Sequence, residues 1–202
     1  MSNTNKYLSK AGQSLVYGVN GDGNPEYVRV NKQFGGLLTV DPMIQSTIVG
    51  THFYVNASTS LGSTDAAKTY LVTTPNTEVW AHMHFGMDGS MITQFDIYED
   101  SGYTDSTDSA KALTEFNANR NSTDSAGVAI TEDPTSSTDA GTLVATYNGG
   151  GAAAKSVFPA GVGTEAYRVL KQNSKYLISI DSGSDSNLLN VYFDWFEVQY
   201  SS

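Results

Sequence analysis

Apolar and polar residues alternate with a period of two along much of this chain, in short runs closed by turn residues. The clearest run is Glu78 to Phe85, where Val79, Ala81, Met83 and Phe85 alternate with Trp80, His82 and His84. Successive side chains of a strand point to opposite faces, so the first set is expected in the core and the second outside. A second run, Met91 to Glu99, sets Met91, Phe95 and Ile97 against Gln94, Asp96 and Tyr98. Gly86-Met87-Asp88-Gly89 between them reads as a tight connection, which predicts a hairpin. Further strands are predicted at Ile48 to Ala57, Lys68 to Thr73, Thr142 to Tyr147, Ala166 to Leu170, Lys175 to Ile180 and Leu188 to Tyr200. Thr74-Pro75-Asn76, Gly149-Gly150-Gly151 and Asp181-Ser182-Gly183-Ser184-Asp185 supply the stops.

These strands are not separated by long amphipathic helices of the kind a parallel α/β sheet needs for its crossovers. The predicted fold is all-β, an antiparallel β-sandwich or jelly roll over residues 46–202, preceded by an extended N-terminal arm or small β module over residues 1–45. In that first part Leu15-Val16-Tyr17, Tyr27-Val28-Arg29-Val30 and Leu37-Leu38-Thr39-Val40 are too short to bury a core alone. Residues 100–142 form a long polar excursion, with Leu113 to Phe116 and Val128 to Thr131 as its candidate ordered pieces. The last strand is apolar on both faces: Leu189, Val191, Phe193 and Trp195 on one, Tyr192, Phe196, Val198 and Tyr200 on the other. Its outer side needs a cover from loops, from the arm or from a second subunit.

Composition agrees with a sheet protein, since hydrophobic residues make up 39% and charged residues only 16% of the 202 residues. Eleven Lys and Arg against 21 Asp and Glu give a net charge of -10, which argues against a direct nucleic-acid partner. No apolar window is long enough to span a membrane, and the start Met1-Ser2-Asn3-Thr4-Asn5 lacks the basic and then apolar layout of a secretory signal. Synthesis in a cytoplasm is the expectation. Without cysteine there is no disulfide and no thiolate zinc site.

Candidate chemistry is sparse. His82 and His84 project from one face, and His52 could join them as metal ligands with Glu78 or Asp96 as a carboxylate; the plain alternative is the polar side of a strand. Asp22 with Asn24, Asp100 with Asp105 and Asp108, Asn121 with Asp124, and Asp181 with Asp185 put oxygens on turns, as calcium requires and as solvated turns also do. No Gly-x-Ser-x-Gly elbow is present, and Gly149-Gly150-Gly151 lacks the frame of a phosphate loop despite Lys155. Glu78, Asp96, Glu99 and Asp194 are the carboxylates a glycosidase pair would draw on, and Trp80 or Trp195 could form a sugar platform. No catalytic residue, cofactor or metal is expected.

From Tyr70 to Ser122 the chain resembles a group of tailed-bacteriophage virion proteins associated with the capsid. The likeness runs through Thr73-Thr74-Pro75, Trp80-Ala81-His82-Met83-His84-Phe85, Phe95-Asp96-Ile97-Tyr98-Glu99 and, most distinctively, Phe116-Asn117-Ala118-Asn119-Arg120-Asn121-Ser122. Thr142-Leu143-Val144 and Lys175-Tyr176-Leu177-Ile178 fit its later part, and the N-terminal arm is similar to arms that thread over neighbouring subunits. The resemblance implies a non-enzymatic capsid decoration protein on the outer surface of the virion, plausibly a homotrimer, whose partner is the major capsid protein. A tail or fibre component and a carbohydrate-binding module are the alternatives. Arg120, flanked by Asn119 and Asn121 in an acidic chain, is expected to fix its loop by hydrogen bonds.

Overall fold

The computed structural model describes residues 17–19, 25–27, 42–65, 67–105, 110–135, 137–149, 156–157 and 167–199. The expected piece at Leu37 to Val40 lies outside them, as do Asp22, Asn24 and Asp108. The chain divides into two compact units, Met1–Pro42 with Tyr200–Ser202, and Met43–Gln199. In the first, β1 (Tyr17–Val19) and β2 (Pro25–Tyr27) pair antiparallel.

The second unit opens with α1 (Pro42–Val49) and continues as β3 (His52–Leu61), β4 (Lys68–Thr73), β5 (Val79–Gly89) and β6 (Thr93–Glu99). The short strands β7 (Lys111–Ala112) and β8 (Phe116–Asn117) follow, then β9 (Ala129–Glu132), β10 (Thr142–Gly149), β11 (Ser156–Val157), β12 (Arg168–Val169), β13 (Lys175–Ser182) and β14 (Asn187–Gln199). They form two antiparallel sheets, one in the order β10-β6-β13-β4-β9-β7, the other β11-β5-β14-β3-β8 with β12 also paired to β5. This is the all-β sandwich that the alternating pattern predicts.

The two sheets meet through the inward positions of each strand. Phe53, Val55, Ala81, Met83, Val191, Phe193 and Trp195 come from one sheet, and Tyr70, Val72, Phe95, Ile97, Ile178 and Ile180 from the other. Phe193 meets the Tyr70 ring edge-on at 5.6 Å between centroids, so the layers interdigitate. Tyr70 is fully buried, and among the described residues its hydroxyl has no hydrogen-bond partner. Burial, then the nearby charges of Glu132 and Asp133, push the phenol well above its usual range. Since an unsatisfied buried hydroxyl costs about 1–3 kcal/mol, Tyr70→Phe should leave stability unchanged or raise it by about 1 kcal/mol, read from the urea midpoint at constant m.

Two expectations are corrected. β5 and β6 are not a hairpin, because β5 runs on through Gly86 to Gly89 under continuous pairing with β14, and β6 pairs instead with β10 and β13 in the opposite sheet. The chain changes sheet at Ser90 to Ile92, a corner fixed by fully buried Asn187, which accepts from the Met91 N–H at 3.0 Å and donates to Thr93 Oγ1 at 2.8 Å. Gly86, which reads as a turn residue, is needed for room: an added Cβ would sit 1.9 Å from the Tyr192 ring. The second correction is that Ile48 and Val49 belong to α1 and the strand begins at His52. Within the 100–142 excursion the expected piece Val128 to Thr131 is ordered: β9 pairs with β4, and Val128 and Ile130 are buried. On the outer side of β14, His82 and Tyr167 pack on Phe196.

Candidate functional site

The register of β3, β14 and β5 gathers all three histidines on the outer face of one sheet. Phe196 stands between His52 and His82, Asp194 between Tyr54 and His84, and Tyr192 between Asn56 and Gly86. His82 stacks on Phe196 at 4.7 Å with 16° between planes, and Tyr167 packs against the same ring at 5.1 Å. His84 lies 5.9 Å from both Tyr167 and Tyr192.

A hydrogen-bonded line crosses this face. Thr47 Oγ1 is 2.6 Å from His52 Nδ1, His52 Nε2 is 2.9 Å from Asp194 Oδ1, and the Tyr167 hydroxyl donates to the same carboxylate oxygen at 3.0 Å. The Met43 sulfur is 2.8 Å from the Tyr167 hydroxyl. With Asp194 accepting, His52 carries its proton on Nε2 when neutral, which leaves Nδ1 to accept from Thr47. The Thr47 hydroxyl has a second acceptor within reach, the Met43 carbonyl at 2.9 Å. A hydroxyl, an imidazole and a carboxylate in line are the parts of an activated nucleophile. Here both ends of the line, Thr47 and Met43, lie on α1, and what it accomplishes in the fold is to fasten that helix to the sheet.

That fastening turns the helix inside out. Ser46 and Thr47 face the protein, with Ser46 only 5% exposed, while Ile44, Ile48 and Val49 are 53%, 67% and 57% exposed. Residues four apart share a helix face, so Ile44 and Ile48 form one outward apolar ridge. The helix C-terminus is closed with care. Gly50 takes the left-handed conformation at φ 86°, its N–H donates to Thr47 O at 3.2 Å, and the Thr51 N–H donates to Ser46 O at 2.8 Å. These two bonds make a Schellman cap, which satisfies carbonyls a helix end would leave open.

The distinctive Asn117 to Ser122 stretch completes the closure. Asn119 Nδ2 donates to Ile48 O at 3.1 Å and Asn117 Nδ2 to Gly50 O at 2.7 Å. Asn117 and Asn119 then accept from the N–H groups of Asn119 and Asn121 at 2.9 and 3.1 Å, folding the loop on itself. Arg120 is not the residue that fixes this loop by hydrogen bonds. It is exposed, with its guanidinium 5.4 Å from the Phe116 ring, which in turn stacks on Tyr54 at 5.8 Å.

The other candidates are scattered. Asp96 and Glu99 are on β6 in the opposite sheet from Asp194, and exposed Glu78 precedes β5, so neither a His-carboxylate metal cluster nor a paired-carboxylate cleft is assembled. Among the described residues no group of three or more His, Asp or Glu is placed to hold a metal ion. Glu99 bonds Lys171 at 2.6 Å and Tyr176 at 2.9 Å; Asp185 accepts from Ser63 Oγ at 2.6 Å. Asp124 accepts from Ser122 Oγ at 3.1 Å. Trp195 is wholly buried and cannot serve as a sugar platform, whereas Trp80 is partly exposed.

Burial lowers the His82 imidazole below its ordinary value. The unfolded chain therefore takes up that proton first, so stability should be flat above a pH of about 6.5 and fall as pH drops below it. His82→Gln should flatten that decline, measured as the urea midpoint between pH 7.5 and 5.

Compared with known proteins, the chain matches no protein-family model, no curated protein and no solved structure.

Proposed function

We propose that this chain is a non-enzymatic virion structural protein, a capsid decoration protein of a tailed bacteriophage that docks on the major capsid protein. The observation that carries the docking part is α1, a helix held with its polar side inward and its Ile44, Ile48 and Val49 side chains in solvent. A lone helix would bury those residues. The Thr47-His52-Asp194 line, the Schellman cap and the Asn117 and Asn119 amides all hold it in the reverse orientation, which suits a surface presented to a partner. The phage capsid as the place of docking rests on the sequence resemblance, and a rigid antiparallel sandwich without disulfides suits a protein made in a reducing cytoplasm and assembled into a symmetric array. Repetition over the shell would turn a modest single contact into lasting attachment.

The test pairs two measurements. Ile44→Gln with Ile48→Gln should leave the melting temperature close to wild type, since both side chains are exposed, and should weaken binding to purified capsids at least about tenfold, because burying an Ile is worth about 1.5–3 kcal/mol. Cryo-electron microscopy of particles should show ordered copies on the icosahedral shell. Density confined to the tail would move the protein there, and absence from particles would overturn the reading.

A further inference from the structure

Among the described residues, all but one of the sandwich's lateral edges end in very short strands. β7, β8, β11 and β12 are two residues each, a length that gives another chain little to pair with. β10 is the exception. It has eight residues, and among the described residues its one ladder partner is β6. It carries no charged or proline guard: from Ala140 to Ala154 the sequence contains no Asp, Glu, Lys, Arg or Pro. Leu143 and Val144 are 51% and 42% exposed. A bulge at Val144 interrupts pairing to β6 near the strand's start, but from Ala145 to Gly149 the register is unbroken.

The bulge leaves the five residues Ala145 to Gly149 in regular strand geometry, and a cavity of about 110 Å³ opens beside it. Phe85, Ile97, Leu170 and exposed Val169 line it with Val144. Arg168 spans from β12 to β10 by donating to the Tyr147 hydroxyl, and so keeps the two sheets registered at this side.

We propose that β10 is a self-association edge, joining two copies of this chain by antiparallel β10 to β10 pairing about a two-fold axis. The partner is argued from charge. Each copy carries a net charge of -10, so two copies repel over most of their surfaces. The long neutral stretch around β10 is where they can approach at least electrostatic cost, and an antiparallel edge matches its own copy without further design. Pairing would satisfy the outward N–H and C=O groups of Ala145 to Gly149 and cover Leu143.

Sedimentation velocity on the isolated protein, over a wide concentration range and without capsids, tests this. The wild-type mass should rise twofold from its dilute value, and hydrogen exchange over residues 142–149 should slow in step. Leu143→Lys and Leu143→Asp, opposite in charge, should each weaken association at least tenfold while melting like wild type. Ile44→Gln with Ile48→Gln should associate normally, which separates this contact from capsid docking. A mass independent of concentration, or association unaffected by both Leu143 variants, would overturn the proposal.

Discussion

Trp195→Ala should lower the unfolding free energy by about 3–5 kcal/mol, enough to bring a domain of ordinary stability close to its threshold. Trp195 has no exposed surface and lies on β14, which pairs along its length with both β3 and β5. Its ring meets Phe53 at 5.8 Å, and its indole N–H donates to Glu197 Oε1 at 3.1 Å. The same Glu197 carboxylate accepts from the backbone N–H groups of Gly127 and Val128 at 2.9 and 3.0 Å, so the tryptophan also positions the group that ties the excursion to the sheet. Removing the ring therefore opens a cavity and releases a tether. Urea denaturation should show a lower midpoint with little change in slope, whereas Trp80→Ala, on the outer face, should shift it by well under half as much. Equal effects from the two would mean that β14 is not the centre of the core.

The second large effect is expected at Gly50→Ala, with a loss of about 2–4 kcal/mol. At φ 86° an L side chain is strained by about 1–2 kcal/mol, and the new Cβ would lie 2.3 Å from Ser122 Oγ and 2.8 Å from Ser122 Cβ. Relief requires moving the Asn117 to Ser122 loop, an overpacking penalty of about 1–3 kcal/mol. Because Gly50 is the Schellman residue of α1 and its carbonyl accepts from Asn117, the variant should also weaken capsid binding. Ser122→Ala in the Gly50→Ala background should recover part of the stability by removing the clashing oxygen. Wild-type melting for Gly50→Ala alone would show that this cap does not hold the helix.

Much of this architecture was legible from alternation. Glu78 to Phe85 was read with the correct faces, since Ala81 and Met83 are buried and Trp80 is exposed, and Lys68 to Thr73 ended where Pro75 forbids a ladder. Alternation records which side of a strand is buried, and burial is a property each residue type carries with it. The helix was missed because Ile48 and Val49 are β-branched and read as strand, although Pro42 at its first turn and Gly50 just past its end were the signals to weigh against them. Its apolar residues face solvent, so no helical core stripe marked it either.

The sequence by itself determined the all-β class and most of the long strands with their inward faces, because local propensity and the two-residue period act over a few neighbours. Tertiary structure alone decided that β5 and β6 part into different sheets, that His52 meets Asp194 across 142 positions, and that α1 turns its apolar side outward. Each of those depends on which distant strand supplies a partner's backbone, and hydrogen-bond pairing between strands is nearly blind to side-chain identity. Asn187 at the sheet corner and Asn117 under the helix end are chosen by where unsatisfied N–H and C=O groups come to lie, which no local pattern records.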